Sequence, residues 1–169
     1  MDEPITFADN DDWTPENSNN RFVGPVTTRT ALARSINIPA AKIFQDIGVS
    51  QGKTIAESMG IEFHQNDNGL AISLGGMAQG ISPIDMARAY ATLGDRGAYK
   101  DYTTIRHIED TRGRIIYQAQ PNRTQVITED TAFLINSMLQ SATTDVSGTA
   151  KRLEGLNLAA KTGTVQLPT

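Results

Sequence analysis

The chain has 169 residues, 38% of them hydrophobic and 20% charged, with a formal net charge of −4. That length supports one domain with a sizeable core. An acidic balance with no Lys/Arg cluster argues against nucleic acid as the main partner, and the absence of cysteine excludes disulfides, thiol catalysis and Cys-based metal sites. The two histidines, His64 and His107, lie far apart and belong to no metal-ligand spacing, so neither a metal nor a cofactor is expected. No apolar run approaches the ~18 residues of a membrane span. The start, Met1-Asp2-Glu3-Pro4, lacks the basic and apolar regions of a signal peptide; taken alone, the chain reads as cytoplasmic.

Residues 1–26 read as irregular. Asp9–Asp12 and Asn17–Asn20 are turn formers, punctuated by Pro4, Pro15, Gly24 and Pro25, and Trp13 and Phe22 are the expected anchors. Thr27 or Thr28 caps a short helix to about Arg34. Pro39 disfavours helix at Ile38 and suits the first turn of a second helix, about 39–47, which stops at Gly48. Its apolar positions Ala40, Ile43, Phe44 and Ile47 recur at helical spacing and are expected to be buried. Ser50 is expected to cap a third helix, about 51–59, and residues 61–73 read as an exposed loop. The paired Gly75 and Gly76 are not followed by Lys-Ser/Thr, which excludes a phosphate loop. Ser82-Pro83-Ile84-Asp85 starts a fourth helix to about Asp95, with Ile84, Ala87, Tyr90 and Ala91 toward the core. Thr103–Ile108 and Arg114–Tyr117, joined through Gly113, predict a β-hairpin. Thr128 opens an amphipathic helix to about Gln140, with Ala132, Ile135, Met138 and Leu139 on its buried face, widened by Phe133 and Leu134.

Two stretches hold polar groups of chemical interest. Ser35, Ile36 and Asn37 occupy a tight joint between the first two helices, where a hydroxyl and an amide are held in fixed directions; an ordinary cap with a locally bonded asparagine accounts for the same tripeptide. Near the end, Lys161-Thr162-Gly163-Thr164 follows Leu158-Ala159-Ala160. As a strand it places Lys161 and Gly163 on one face and Thr162 and Thr164 on the other. A strand glycine often marks the close approach of a ligand or another backbone, and a cation with a hydroxyl beside it suits a carboxylate or polarised carbonyl. A strand with a polar end is the plain alternative.

Taken together, Ser35-Ile36-Asn37, a long mostly helical insert and Lys161-Thr162-Gly163 resemble the transpeptidase domain of the penicillin-binding proteins, most closely the bifunctional class A type. The family is marked by Ser-x-x-Lys, Ser-x-Asn and Lys-Thr-Gly motifs. Gly24–Thr27, Ala31–Ala40, Gly80–Pro83, Ile108–Asp110 and Ser147–Ala150 extend the resemblance over nearly the whole chain. It implies an α+β fold, mainly helical: the helical subdomain of the serine β-lactamase/penicillin-binding transpeptidase fold, with a β-hairpin and one sheet strand. It implies a serine acyl-enzyme formed on a D-Ala-D-Ala stem peptide, its transfer to an amine to cross-link peptidoglycan, and β-lactams as mimics of the donor. It places the working parent on the outer face of the bacterial cytoplasmic membrane, held through an anchor missing from this chain.

Residue by residue, the resemblance implies that Ser35 relays a proton, Asn37 hydrogen-bonds the amide of donor or drug, and Lys161 supplies positive potential. Thr162, Gly163 and Thr164 lie along the strand that the substrate joins edge-on, with Thr164 binding the carboxylate and its backbone N–H serving the oxyanion hole. The departure is the nucleophile. No Ser-x-x-Lys precedes Ser35, and the one literal match, Ser50-Gln51-Gly52-Lys53, reads as a helix start loosened by glycine. The expectation is a partial transpeptidase domain over residues 1–169, missing its nucleophile segment and C-terminal strands and inactive alone; a non-catalytic peptide-binding or interaction module is the alternative.

Overall fold

A computed structural model describes residues 1–8, 12–145, 147–150 and 153–163. The fold is α+β and mainly helical. Helices α1 (Thr28–Ala33), α2 (Asn37–Ile47) and α3 (Val49–Ser58) lead to a 3-10 turn (Leu70–Leu74) and α4 (Pro83–Gly94); four short strands follow, then α5 (Glu129–Thr144). Strand β1 (Ala98–Lys100) pairs antiparallel with β4 (Arg123–Gln125), and β2 (His107–Glu109) with β3 (Ile115–Gln118), with a bulge between Ile108 and Glu109.

Three helix starts follow from hydroxyl caps. Thr27, Ser82 and Thr128 each accept the backbone N–H three residues on, satisfying one of the donors a helix start leaves open. The expected cap at Ser50 is not formed. Val49 already lies within α3 and Gly48 holds the cap position without a side-chain bond, because the turn at Gly48 brings α3 directly off the end of α2.

Helix α5 is the spine on which the site rests. Ala31 and Ala33 of α1 and Ala132 and Ala142 of α5 are buried, and small side chains let two helices pack closely. Arg29 reinforces this pairing, donating to the Ser137 carbonyl at 2.6 Å and to the Ser141 hydroxyl at 3.1 Å. A second cluster joins Phe7, Ala41 and Leu70, flanked by Ile5, Trp13, Phe44 and Val49. The opening loop is therefore pinned: Phe7 stacks on Trp13 with ring centroids 5.7 Å apart. Phe22, expected as an anchor, is exposed.

Several expected burial faces turn out differently. Ile43 and Ile47 of α2 are exposed, and Ile38, Pro39 and Ala41 are buried in their place. On α4, Ile84 and Tyr90 face outward and Ala89 and Thr92 inward. The reason is polar: Arg88 turns in to pair with Asp85 at 2.8 Å, bond the Gly60 carbonyl at 2.9 Å and lie against the rings of Tyr99 and Tyr102. That network rotates the helix away from its apolar stripe. Phe133 and Leu134 on α5 are likewise exposed, beside the buried Ala132 and Leu139. The hairpin forms as expected, while the β1–β4 pair was not foreseen. The expected closing strand has no ladder: residues 156–163 run without strand pairing, and among the described residues no strand pairs with them.

Candidate active site

Helix α1 ends in a Schellman turn. The Ile36 N–H bonds the Ala31 carbonyl at 2.9 Å and the Ser35 N–H bonds that of Leu32 at 3.2 Å. Such a turn needs a left-handed residue, usually glycine. Here that residue is Ser35, with φ +55°. The conformation costs a non-glycine residue ~1–2 kcal/mol. A serine kept in a glycine position is the kind of local strain that accompanies function.

Lys161 reaches this serine from 126 residues away: its Nζ donates to Ser35 Oγ at 2.5 Å and to the carbonyl of Thr162 at 2.9 Å. Burial holds the Lys161 ammonium below its ordinary value of 10.5, because desolvation disfavours the charged form. The pair is thus a short contact between a hydroxyl and a partly desolvated amine.

Asn37, two residues on, is the first residue of α2 and points elsewhere. Its backbone N–H donates to Asn17 Oδ1 at 2.9 Å and its Nδ2 to the Glu16 carbonyl at 2.7 Å. Asn17 in turn donates to Asp2 Oδ1 at 2.8 Å and to the Arg21 carbonyl at 2.8 Å, and Asp2 Oδ2 accepts the Val23 N–H at 2.9 Å. Asp2 and Asn17 are 1% and 6% exposed. A buried carboxylate held by amide donors alone ties the opening loop to the start of α2.

The extended end segment rests on α5. The Thr143 hydroxyl donates to the Leu158 carbonyl at 2.8 Å and the Ala160 N–H to that of Leu139 at 3.4 Å. Thr162 faces away from Lys161, its hydroxyl bonded to that of Thr149 at 2.9 Å. Among the described residues, nothing lies within 4 Å of where a Cβ on Gly163 would stand. Thr164 lies outside the described residues.

Of the sequence-predicted residues, the structure joins Ser35 with Lys161, sets Asn37 on the adjoining turn and directs Thr162 to a neighbouring hydroxyl. Asp2, Asn17, Arg29 and Thr149 were not foreseen as supports. Only Thr149 had a signal, within the Ser147–Ala150 segment. Neither histidine joins this group: His64 Nδ1 accepts the Asn66 N–H, and His107 pairs with Glu109 at 3.2 Å on the exposed hairpin. Among the described residues no cluster could hold a metal ion. A cleft of about 630 Å³ lined by Phe63, His64, Ser82 and Asp85, among others, shares no residue with the pair.

The Ser50–Lys53 match is structural. Lys53 Nζ donates to the Asp67 carbonyl at 2.8 Å and sits over the Phe63 ring, 5.2 Å from its centroid. Gly52 lies under the Phe44 ring, which a Cβ would meet at 2.2 Å. The glycine is a packing device, and Lys53 is committed to Asp67 and Phe63 and not to Ser50.

A helical layer ending in a strained serine, faced by a lysine from an extended terminal segment, defines the helical part of a serine-transpeptidase fold. The chain belongs to the penicillin-binding protein transpeptidase domain family, whose model matches residues 1–169. It is similar to penicillin-binding protein 1A/1B of Bacillus subtilis (strain 168), with 34% identity over 146 residues, covering 85% of this chain and 16% of that protein. Penicillin-binding protein 1A of Clostridium botulinum (strain Hall) is 32% identical over 156 residues, covering 90% and 19%. Among solved structures, penicillin-binding protein 1A from Haemophilus influenzae superposes with TM-score 0.75 at 24% identity, over 94% of this chain and 27% of that one. The D,D-transpeptidase domain of a peptidoglycan glycosyltransferase from Eggerthella lenta gives 0.77 at 18% identity, over 99% and 48%. At these identities the structures speak to the fold alone. The chain spans less than a quarter of the length of these two sequence relatives.

Proposed function

We propose that this chain forms one wall of the acyl-transfer cleft of a peptidoglycan D,D-transpeptidase of the class A type. The observation that carries the reading is the 2.5 Å contact between Lys161 Nζ and Ser35 Oγ, made by residues of the Ser-x-Asn and Lys-Thr-Gly motifs. Ser35 and Lys161 pass a proton between the attacking serine, supplied from outside residues 1–169, and the leaving amine. The leaving group is the terminal D-Ala of a D-Ala-D-Ala stem peptide, and an amine of a second stem then takes the acyl group. Asn37 orients the donor amide. Thr162, Gly163 and Thr164 line the edge the donor strand joins, with Thr164 on its carboxylate. β-Lactams enter as donor mimics. Function on the outer face of the bacterial cytoplasmic membrane follows from the substrate.

The test is incubation of this chain with a fluorescent penicillin, followed by denaturing electrophoresis. The expected result is no covalent band, since Lys53 is turned from Ser50 and no other Ser-x-x-Lys exists. A band abolished by Ser50→Ala overturns the assignment of the nucleophile. A second reading, a non-catalytic peptide-binding module, is favoured by that same lack of a nucleophile. Saturable binding of a D-Ala-D-Ala peptide to the unlabelled chain supports it.

A further inference from the structure

The Ser35–Lys161 contact joins two segments that lie in different parts of the chain, and one side chain touches both. We propose that Thr149 is a positioning residue that sets the separation of Ser35 and Lys161 for the proton transfer between them. The proposal rests on the reading of that pair as part of the transpeptidase cleft.

Thr149 makes three bonds in a line across the gap. Its N–H donates to the Ala33 carbonyl at 3.1 Å, and its hydroxyl donates to that same carbonyl at 3.3 Å. Its oxygen accepts the Thr162 hydroxyl at 2.9 Å. The hydroxyl proton has one direction available in this chain, from Thr162 to Thr149 to Ala33, so every donor is used once. Ala33 is the last residue of α1, two before Ser35; Thr162 is one after Lys161. The spacer therefore fixes the backbone on either side of the pair while touching neither member of it.

Thr149 is itself held from α5. The Gly148 N–H bonds the Asp145 carbonyl and the Ala150 N–H bonds that of Ala142, each at 3.0 Å. At Gly148 a Cβ would stand 2.4 Å from the Ala142 carbonyl oxygen, so the turn closes only with glycine there. Helix α5 thus sets the position of α1 through Arg29, of the end segment through Thr143, and of the bridge between them through Gly148 and Ala150.

The experiment reads Lys161 itself, with no substrate. The chain is labelled with ¹³Cε-lysine, the Lys161 signal is assigned by Lys161→Arg, and its shift is followed against pH. Wild type titrates below 10.5, the direction burial imposes. Thr149→Val, which keeps the shape and loses the hydroxyl, moves the midpoint up toward 10.5 as Lys161 leaves Ser35 and gains water. Thr149→Ser restores the wild-type midpoint. Should Thr149→Val lose its folded amide spectrum, Thr162→Val cuts the same line from its other end and is expected to move the midpoint in the same direction. An unmoved Lys161 midpoint in a folded Thr149→Val, or in Thr162→Val where the first does not fold, overturns the proposal. A failure to react with penicillin bears only on the transpeptidase reading, because this titration involves no acyl donor.

Discussion

The Ser35 hydroxyl and the Lys161 amine meet at 2.5 Å although neither residue lies in a helix or a strand. Each is held by the element beside it: Ser35 by the turn that ends α1, Lys161 by the bonds of residues 158–162 to α5 and Thr149. The site is therefore as rigid as the packing of α1 on α5, and its weak points are the joints.

One joint is Ser35 itself, which carries a Cβ in a left-handed conformation. Ser35→Gly and Ser35→Ala both delete the hydroxyl, and only alanine keeps the strain. Urea unfolding is expected to find the glycine variant more stable than the alanine variant by about 0.5–1 kcal/mol. Equal midpoints would mean that the turn carries no such strain.

A second joint is the Asp2–Asn17–Asn37 network. Asn17→Ala leaves a buried carboxylate oxygen and a helix-start N–H without partners, which costs about 1–3 kcal/mol. The double variant Asp2→Ala/Asn17→Ala is expected to lose less than the two single variants together, because deleting both partners removes the orphaned group as well. Thermal melts of the four proteins check this.

Much of this was legible in the sequence and some was not, for separable reasons. Thr27, Ser82 and Thr128 announced helix starts because capping is local chemistry. Ser35 and Lys161 could be paired only through the family resemblance, since nothing in either segment encodes a partner 126 residues away. Asn17 was hidden among turn-forming neighbours, whose composition explains a loop without revealing that one member is buried. On α4 the apolar stripe misled because the Arg88 guanidinium found a carboxylate, a carbonyl and two rings, and those contacts outweigh a few methyl groups. Lys161–Gly163 read as a strand, but a ladder needs a neighbouring strand, and the described residues provide none there.

Asp67 gives the chain a pH-sensitive staple. The carboxylate is buried, 4% exposed, and accepts the N–H groups of Ala78 and His64, each at 2.8 Å. Led by the Ala78 bond, these hold its pKa below 3.8. A depressed carboxylate stabilises the fold above its unfolded pKa and loses that contribution as pH falls through the folded value. Urea midpoints of the wild type are therefore expected to drop below pH 3.8, and Asp67→Asn to remove that part of the dependence. An unchanged acid limb in Asp67→Asn would remove Asp67 from the account.

Gly148 is predicted to be intolerant. In Gly148→Ala the new methyl group meets the Ala142 carbonyl, and relief requires the Thr149 turn to lift off α5. Overpacking of this kind costs about 1–3 kcal/mol. The variant is expected to melt earlier and to shift Lys161 as Thr149→Val does, whereas Gly155→Ala, in a left-handed position with open space around it, is expected to leave Lys161 unmoved.

The central proposal is that Ser35 and Lys161 serve an acylating serine supplied from outside residues 1–169. The most direct measurement replaces the matching segment of the Bacillus subtilis penicillin-binding protein 1A/1B with this chain and times labelling of the chimera by a fluorescent penicillin. The account predicts a labelled chimera whose acylation slows by ~10²–10⁴-fold in Lys161→Ala, the range of a lost general acid–base group, with Ser35→Ala slowed in the same direction. Labelling at the same rate in a folded Lys161→Ala chimera would contradict it.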